Sequence, residues 1–537
     1  PEVAHALREL LPRLAARSLG KGREFWTHNL ANLERARETL LGNFDDTLLR
    51  FLAAPAETMQ TLEAEQMDGL FFAQLESRYG LRVPDEAPGP RAIATHLVAH
   101  LALVRAFEDA GQPAAFPYAA SLPQPMYFPR CRAFLERWQR DSAYKAAYVR
   151  FAATLEHDYD LAGWSARLPF ATAVDVGGTF VSVEQDLWAR AQEAMAGLEG
   201  EAAWCGWLAA HRAAFAARAR DFWAREDRAP WWATLTQAAD LLLAIREARA
   251  DLDTCATPEA LLRRYSTHWW CIDRDFRALR EALDRHPTAY DPLRRRCTRS
   301  YYDILRRMNE RFTDLLGHAW PPEGLPPQDG FWAAMEAEGN AAPQARVAVL
   351  YVDALRYAMG HALLATLRED RAGQQQTLTA RLAAVPTTTP IGMTAVLPHG
   401  DRRQIDFDGD WTITIDDGAG RRSGNLKDKA ARIQWLQTCL GDGVNVYNLD
   451  DLLDMPSDSI PDAAYTFVCD TTLDAVGERA GGQAGRTFST LLQAVRKGVH
   501  KLLDAGVEQI HIVADHGILF LDEVGEHEKV SVRDVPA

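Results

Sequence analysis

The feature that most constrains the fold is an alternation of short apolar runs with helix-like stretches after residue 345. The run Val347–Val352 is apolar and rich in β-branched residues, as expected of a strand that is buried on both faces. Three similar apolar runs follow at 444–447, 465–468 and 509–513. Helix-like stretches separate the runs, at 355–368, 427–439 and 484–503. Alternating strands and helices are typical of a doubly wound parallel sheet, so we predict this α/β fold for the C-terminal part.

The preceding residues, 1 to about 340, have a different pattern of apolar residues, which predicts a large, mainly helical region. Apolar residues recur there at spacings of three and four, among many residues of high helix propensity. The strongest break is the Pro- and Gly-rich stretch 321–327, which can sustain neither a helix nor a strand interior. We therefore predict a helical region over 1–340, either continuous or divided near 84–129. A core over 341–537 follows, with a small β insertion near 403–415 where apolar and polar residues alternate.

Composition and charge exclude several classes of protein. Apolar residues make up 47% of the chain and charged residues 25%, which is typical of a soluble globular protein. No apolar run reaches the roughly 18 residues that a transmembrane helix needs, so no membrane association is expected. The seven scattered cysteines include no C-x-x-C pair and suit reduced thiols, which favours the cytoplasm.

The net charge bears on nucleic-acid binding. A formal charge of −15 argues against tight non-specific DNA binding by this chain alone. Basic residues cluster at 294–296 and between 421 and 432, and we interpret both clusters as solvated faces.

Acidic residues and a histidine follow three of the predicted strands. Asp353 follows the first run, Asp515 and His516 follow the last, and the run at 465–468 leads to Asp470 and Asp474. Ligands of parallel α/β sheets bind beyond the carboxyl ends of the strands. Like charges that converge there destabilise the fold unless a cation neutralises them. The pattern therefore predicts a divalent-metal site, with Zn²⁺, Mn²⁺ or Mg²⁺ as the suitable ions.

A threonine triplet, 387–389, precedes an apolar, helix-like stretch and offers a candidate nucleophile. A hydroxyl beside metal ions at a helix start can be activated for attack on phosphorus, and two ions about 4 Å apart can clamp the attacking and leaving oxygens.

Each of these features also has an ordinary structural interpretation. Asp353 could cap a helix, Asp515-His516-Gly517 could be a plain turn, and the threonines could form a loop. Asp474 and Glu478 could lie on one solvated helical face. The joint order of these features on one sheet is what favours a metal site.

The same order resembles the alkaline phosphatase and nucleotide pyrophosphatase superfamily. That superfamily has a strand followed by Asp, Pro-x-x-Thr at a helix start, Asp-x-x-x-ligand, and then Asp-His-Gly. The stretches VLYVDALRYAMG, VPTTTPIGMTAVLPHG, LDAVGER and HIVADHGILFL resemble the PglZ proteins of BREX phage-defence systems more closely. In the helical half, FLERWQRDSAYKAAY and RRYSTHWWCIDRDFRAL are similar to segments of the larger, type A-like members.

The resemblance implies a first metal that is held by Asp353, Asp515 and His516 together with a threonine. Thr389 is favoured as the nucleophile, because the segment TPIGMTAVLPHG that starts there matches the length of the superfamily's nucleophile segment. Thr388 and Thr387 are the fallback positions.

A second metal would use Asp474 and Glu478. Many superfamily enzymes have a histidine where this chain has Glu478, and an oxygen ligand shifts the preference toward Mn²⁺ or Mg²⁺. The superfamily also supplies a last histidine well after Asp-His-Gly. Since His527 is near that motif, we expect the final histidine beyond Ala537, and the second site could then be incomplete in residues 1–537.

The function that the resemblance implies is a metal-dependent phosphatase or phosphodiesterase, and a nuclease is one form of it. Nucleic acid or a nucleotide would be the substrate, and other BREX proteins would be the partners. The alternative is a catalytically weak scaffold that keeps the fold and docks other defence proteins. A third interpretation is an interaction module that does not depend on metal.

Overall fold

The computed structural model forms two compact units, Pro1–Thr236 and Gln237–Ala537. The structure describes residues 43–65, 67–83, 89–176, 178, 180–224, 229–285, 290–317, 320–339, 345–371, 374–441, 443–480 and 485–518. Residues 84–88 of the predicted break and His527 lie outside these ranges. The predicted boundary near 340 and the break near 84–129 remain predictions.

The described part of the first unit is helical. Its helices are α1 Phe44–Ala53, α2 Pro55–Ala64, α3 Asp68–Tyr79, α4 Pro90–Asp109, α5 Phe128–Arg140, α6 Lys145–Asp158, α7 Leu161–Ala166, α8 Phe170–Val176, α9 Val181–Gly197 and α10 Gly200–Arg218. Local sequence explains several boundaries. For example, α3 ends at Tyr79 and is followed by Gly80 in the left-handed region (φ +68°), and α4 begins with Pro90, whose missing N–H would have had no helical partner.

The second unit begins with helices and continues into the sheet. Helix α11, Ala229–Leu252, includes the residue at which this unit begins in the sequence, and α12 Pro258–Arg264, α13 Trp270–Arg285, α14 Asp291–Leu316 and α15 Phe331–Gly339 follow. The remaining helices are α16 Tyr357–Asp370, α17 Thr389–Ala395, α18 Lys429–Leu440, α19 Leu449–Asp454, α20 Thr472–Ala480 and α21 Gly485–Asp504. Among the helices of the described ranges, none is long and apolar enough to cross a bilayer.

Four parallel strands form the main sheet, at the positions predicted from the apolar runs. They are β1 Val347–Val352, β4 Val444–Asn448, β5 Tyr465–Asp470 and β6 Gln509–Val513, in the spatial order β4-β5-β1-β6. The residues of the predicted insertion form an antiparallel hairpin of β2 Arg403–Phe407 and β3 Trp411–Ile415.

Strand β1 is buried along its whole length because apolar clusters cover both of its faces. Ala348, Leu350 and Val352 pack in one cluster, which includes residues of α16, α19 and α21. Val349 and Tyr351 pack in the other, which includes residues of α15, α17 and α18. This double burial accounts for the continuous apolar run in the sequence. The doubly wound connectivity remains a prediction.

Helices within residues 258–316 contact the loop that follows β1. The buried carboxylate of Asp273 on α13 accepts hydrogen bonds from the hydroxyls of Tyr301 (2.5 Å) and Tyr265, and from the guanidinium of Arg356 (2.6 Å). Because a buried charge is tolerated only with such partners, this cluster fixes the helices to the segment three residues beyond Asp353. The helices of residues 258–316 are therefore part of the structural surroundings of the sheet edge.

Candidate metal centre

The carboxyl ends of β1, β5 and β6 bring three aspartates to the same edge of the sheet. Val352 is in register with Asp470, and the N–H of Asp353 donates to the carbonyl of Asp470 at 2.8 Å. Asp515 follows the end of β6, which pairs with β1 on its other side. The parallel register therefore places Asp353 between the ends of its two neighbouring strands, as the sequence pattern predicts.

Asp353, Asp515 and His516 form a compact cluster of possible metal ligands. One ligand atom from each lies within 4.8 Å of the others. The Nε2 atom of His516 is 3.5 Å from Oδ1 of Asp353 and 3.3 Å from Oδ2 of Asp515. The two aspartates are only 4% and 1% exposed, so water neutralises little of their charge.

Thr389 is the threonine of the triplet whose hydroxyl lies in this cluster. It opens α17, and its Oγ1 lies 3.0 Å from Nε2 of His516 and 3.5 Å from Oδ1 of Asp353. Thr388 is the residue before the helix and Thr387 precedes it, and both are exposed. These positions favour Thr389, the residue that the segment length also favours.

The electrostatics of the cluster reflect two buried carboxyl groups that face each other. Burial, then the charge of Asp515, and more weakly that of Asp474, raise the pKa of Asp353 to about 8. Burial also raises the pKa of Asp515, against the opposing effects of His516 and of two backbone N–H groups. Without a cation, the pair is therefore expected to retain a proton near neutral pH.

The hydrogen bonds of Asp515 leave one oxygen available to a ligand. Its Oδ1 accepts from the N–H groups of Ala354 (3.0 Å) and His516 (2.8 Å). Its Oδ2 is buried and has no hydrogen-bond partner among the described residues, although Nε2 of His516 lies nearby. A buried carboxylate oxygen without a donor is costly, and coordination of a cation would remove that cost.

The histidine is oriented in the way that metal-binding histidines are. Its Nδ1 lies 2.9 Å from the carbonyl oxygen of Gly517. Since a carbonyl only accepts, Nδ1 carries the proton and Nε2 presents its lone pair to the cluster. Two carboxylates and an imidazole, with a hydroxyl beside them, fit a divalent cation such as Zn²⁺, Mn²⁺ or Mg²⁺.

The predicted second metal site is only partly described. Asp474 lies in the first turn of α20, is half-buried, and is close enough to raise the pKa of Asp353. It does not belong to the cluster of three ligands found among the described residues. Glu478 lies on the same helix, but its side chain is outside the described residues. The second site remains a prediction.

Two contributors to the centre were not predicted. Gln328, in the short 3₁₀ helix Gln328–Gly330, hydrogen-bonds to the backbone of the Asp515 segment, and no sequence signal marks it. Arg432 on α18 was predicted to lie on a solvated face. It is instead half-buried, its NH1 group donates to two backbone carbonyls, and it interacts electrostatically with Asp353 and Asp515.

Gly392 allows α17 to approach the Asp515 segment closely. A Cβ atom added at Gly392 would lie 2.2 Å from the backbone carbonyl oxygen of Asp515. The Gly392→Ala substitution is therefore expected to lower the free energy of unfolding by about 1–3 kcal/mol and to weaken metal binding. Thermal melting and calorimetric titration with Mn²⁺ measure the two effects.

The matched control is Gly424→Ala, because a Cβ atom there meets no atom within 4 Å. If both variants melt and bind Mn²⁺ alike, the contact of α17 with the Asp515 segment does not shape the centre.

Comparison with known proteins finds a family that matches the residues of this sheet. Residues 338–536 match PglZ, described as the BREX system PglZ alkaline phosphatase-like domain. The chain is also 26% identical over 244 residues to the alkaline phosphatase-like protein BrxZ of Escherichia coli O9:H4 (strain HS). That alignment covers 44% of this chain and 26% of the relative, so the chain spans about a quarter of the relative's length. No solved structure matches the chain significantly. The part of the chain that carries the sheet and the candidate metal centre, residues 338–536, is thus a BREX system PglZ alkaline phosphatase-like domain.

Proposed function

We propose that this chain is a metal-dependent phosphoric ester hydrolase, a phosphatase or phosphodiesterase, that acts in BREX-type defence. One observation carries the proposal: the hydroxyl of Thr389 lies 3.0 Å from Nε2 of His516 and 3.5 Å from the buried carboxylate of Asp353. A hydroxyl in this position has an imidazole and a carboxylate beside it, which is the setting that an activated oxygen nucleophile needs.

In the proposed reaction, the oxygen of Thr389 attacks phosphorus in line with the leaving group. The hydroxyl gives up its proton to water as the bond from Oγ1 to phosphorus forms, the ester bond breaks, and the leaving alkoxide takes up a proton from water. Water then hydrolyses the phosphothreonine and restores the hydroxyl. A divalent ion bound by Asp353, Asp515 and His516 would lower the pKa of the hydroxyl and stabilise the charge that develops on the phosphoryl oxygens.

Arg432 is proposed to add positive charge to the same centre. Its guanidinium interacts electrostatically with Asp353 and Asp515, and its bonds to the carbonyls of Leu426 and Lys427 fix it in place. When a cation neutralises the carboxylates, this guanidinium becomes available to a phosphate oxygen.

The finer parts of the proposal depend on the family. We propose two divalent ions, with Asp474 and Glu478 at the second, and a nucleotide or nucleic acid as the substrate, so that nuclease activity is included. Other BREX proteins are the proposed partners, and the cytoplasm is the proposed compartment. These points extend from the family description and from the chemistry of the donor set.

The test is hydrolysis of bis-p-nitrophenyl phosphate and p-nitrophenyl phosphate by the 537-residue chain with Mn²⁺, Zn²⁺ or Mg²⁺. Turnover that EDTA abolishes is expected, and Asp515→Asn is expected to lower it about 100-fold or more, since that change removes a charged ligand of the ion. The exposed Asp458→Asn variant is the matched control and should behave like the unmodified chain. Plasmid cleavage under the same conditions tests the nuclease form.

The alternative is a catalytically weak scaffold that keeps the fold and docks other defence proteins. If the chain binds Mn²⁺ but turns over none of these substrates, the scaffold alternative is correct.

A further inference from the structure

Gln328 connects the two segments that carry the candidate metal centre. Its Nε2 group donates to the carbonyl oxygens of Ala514 (2.8 Å) and Asp515 (2.6 Å). Its Oε1 atom accepts from the N–H of Ala384 at 2.9 Å, in the segment that leads to Thr389. One side chain thus bonds to the segment of two ligands and to the segment of the hydroxyl.

The side chain can make these bonds because it is well enclosed. Gln328 is 6% exposed, and the N–H of its own backbone donates to the carbonyl of Leu382, so its main chain is fixed as well. A buried amide with both its donors and its acceptor satisfied restrains all the groups that it contacts. Few other side chains could replace it, because the site requires two donors and one acceptor on a planar group.

We propose that Gln328 is a positioning residue that sets the spacing between Thr389 and the Asp515-His516 ligands. Gln328 lies ten residues before the matched family domain, which begins at residue 338. The metal centre is therefore assembled with a part that lies outside the family domain. This inference rests on the proposed function only in taking these ligands as a metal centre.

Two substitutions distinguish the donor role of the Gln328 amide from its acceptor role. Gln328→Met keeps the length and removes all three hydrogen bonds. Gln328→Glu keeps an acceptor for the N–H of Ala384 but directs a carboxylate at the carbonyls of Ala514 and Asp515, which repels them. Gln437→Met, at an exposed position on α18, is the matched control.

The first readout is amide hydrogen exchange by mass spectrometry on the full chain in EDTA, so it does not depend on metal. Gln328→Met is expected to speed exchange by about 10-fold or more in the segments around 384 and 514–516. Gln328→Glu is expected to speed exchange in the same way around 514–516 and to have a smaller effect around 384. Gln437→Met is expected to change the exchange rate in neither segment. Exchange that stays unchanged in both segments, or rises evenly across the second unit, would overturn the inference.

The second readout is the visible absorption spectrum of bound Co²⁺. A positioning role predicts that both Gln328 variants change the spectrum and weaken Co²⁺ affinity by about 10-fold or more. An unchanged spectrum and affinity would count against the inference. If no form of the chain binds Co²⁺, the proposed function fails, while the exchange pattern still decides the role of Gln328.

Discussion

Replacing Thr389 by alanine is expected to lower kcat for bis-p-nitrophenyl phosphate by about 1000-fold or more, and replacing it by serine by far less. The alanine variant loses the oxygen that forms the new bond to phosphorus, and a 1000-fold loss corresponds to about 4 kcal/mol in the activation barrier. Serine retains the oxygen and loses only the methyl group. Initial rates at saturating Mn²⁺ measure both variants.

The neighbouring residue gives a matched control for the same chemistry. Thr388 precedes the helix, is exposed, and its side chain makes no capping hydrogen bond. Thr388→Ala is expected to retain at least about a third of the activity, because the reacting hydroxyl is unchanged. A large loss in Thr388→Ala together with activity in Thr389→Ala would move the nucleophile to the fallback position.

A trapped intermediate tests the role of Thr389 independently of rates. Acid quenching during turnover should preserve a phosphothreonine, and peptide mass spectrometry should locate it at residue 389. A phosphate on Thr387, or none during rapid turnover, would contradict direct attack by Thr389.

The sheet could be predicted from sequence because its strands are locally encoded. Val347–Val352 is buried on both faces, so burial alone requires a continuous apolar run. The aspartates after the strands could also be predicted to meet, since parallel strands end at one edge. The sequence cannot set the distances at that edge, because these depend on how loops pack.

The contributors that were missed depend on contacts between distant parts of the chain. Gln328 is separated from Asp515 by 187 positions, and Asp273 from Arg356 by 83. Neither pair leaves a periodic or compositional trace. Arg432 shows the opposite error: its basic neighbours suggested a solvated face, while the fold half-buries its guanidinium near two carboxylates. A charge in a sequence does not show whether it faces water.

The strongest test of the whole site is the response of stability to pH and metal. The pKa of Asp353 is raised in the folded protein, so the folded state holds a proton that the unfolded state releases at lower pH. The metal-free chain is therefore expected to lose stability as pH rises from about 4 to about 8, by at most about 1.4 kcal/mol per pH unit, with no further loss from this group above that window. Thermal melting in EDTA at pH 6 and pH 8 measures the loss.

Addition of Mn²⁺ should reverse this effect, because the ion replaces the proton between the carboxylates. At 100 times the dissociation constant, a ligand stabilises the folded state by about 2.7 kcal/mol, which is about 4 °C in Tm for the unit Gln237–Ala537. The affinity for Mn²⁺ should rise with pH, since binding displaces a proton.

The Asp353→Asn variant distinguishes a metal site from a buried acidic cluster of any other kind. An amide cannot ionise, so this variant is expected to melt above the unmodified chain at pH 8 in EDTA and to lose most of the response to Mn²⁺. Asp458→Asn, at an exposed position, should keep both the pH dependence and the response. The melting temperature of the unmodified chain could instead depend on neither pH nor chelator. Asp353 and Asp515 would then need no cation, and the metal-independent interaction module would be the correct interpretation.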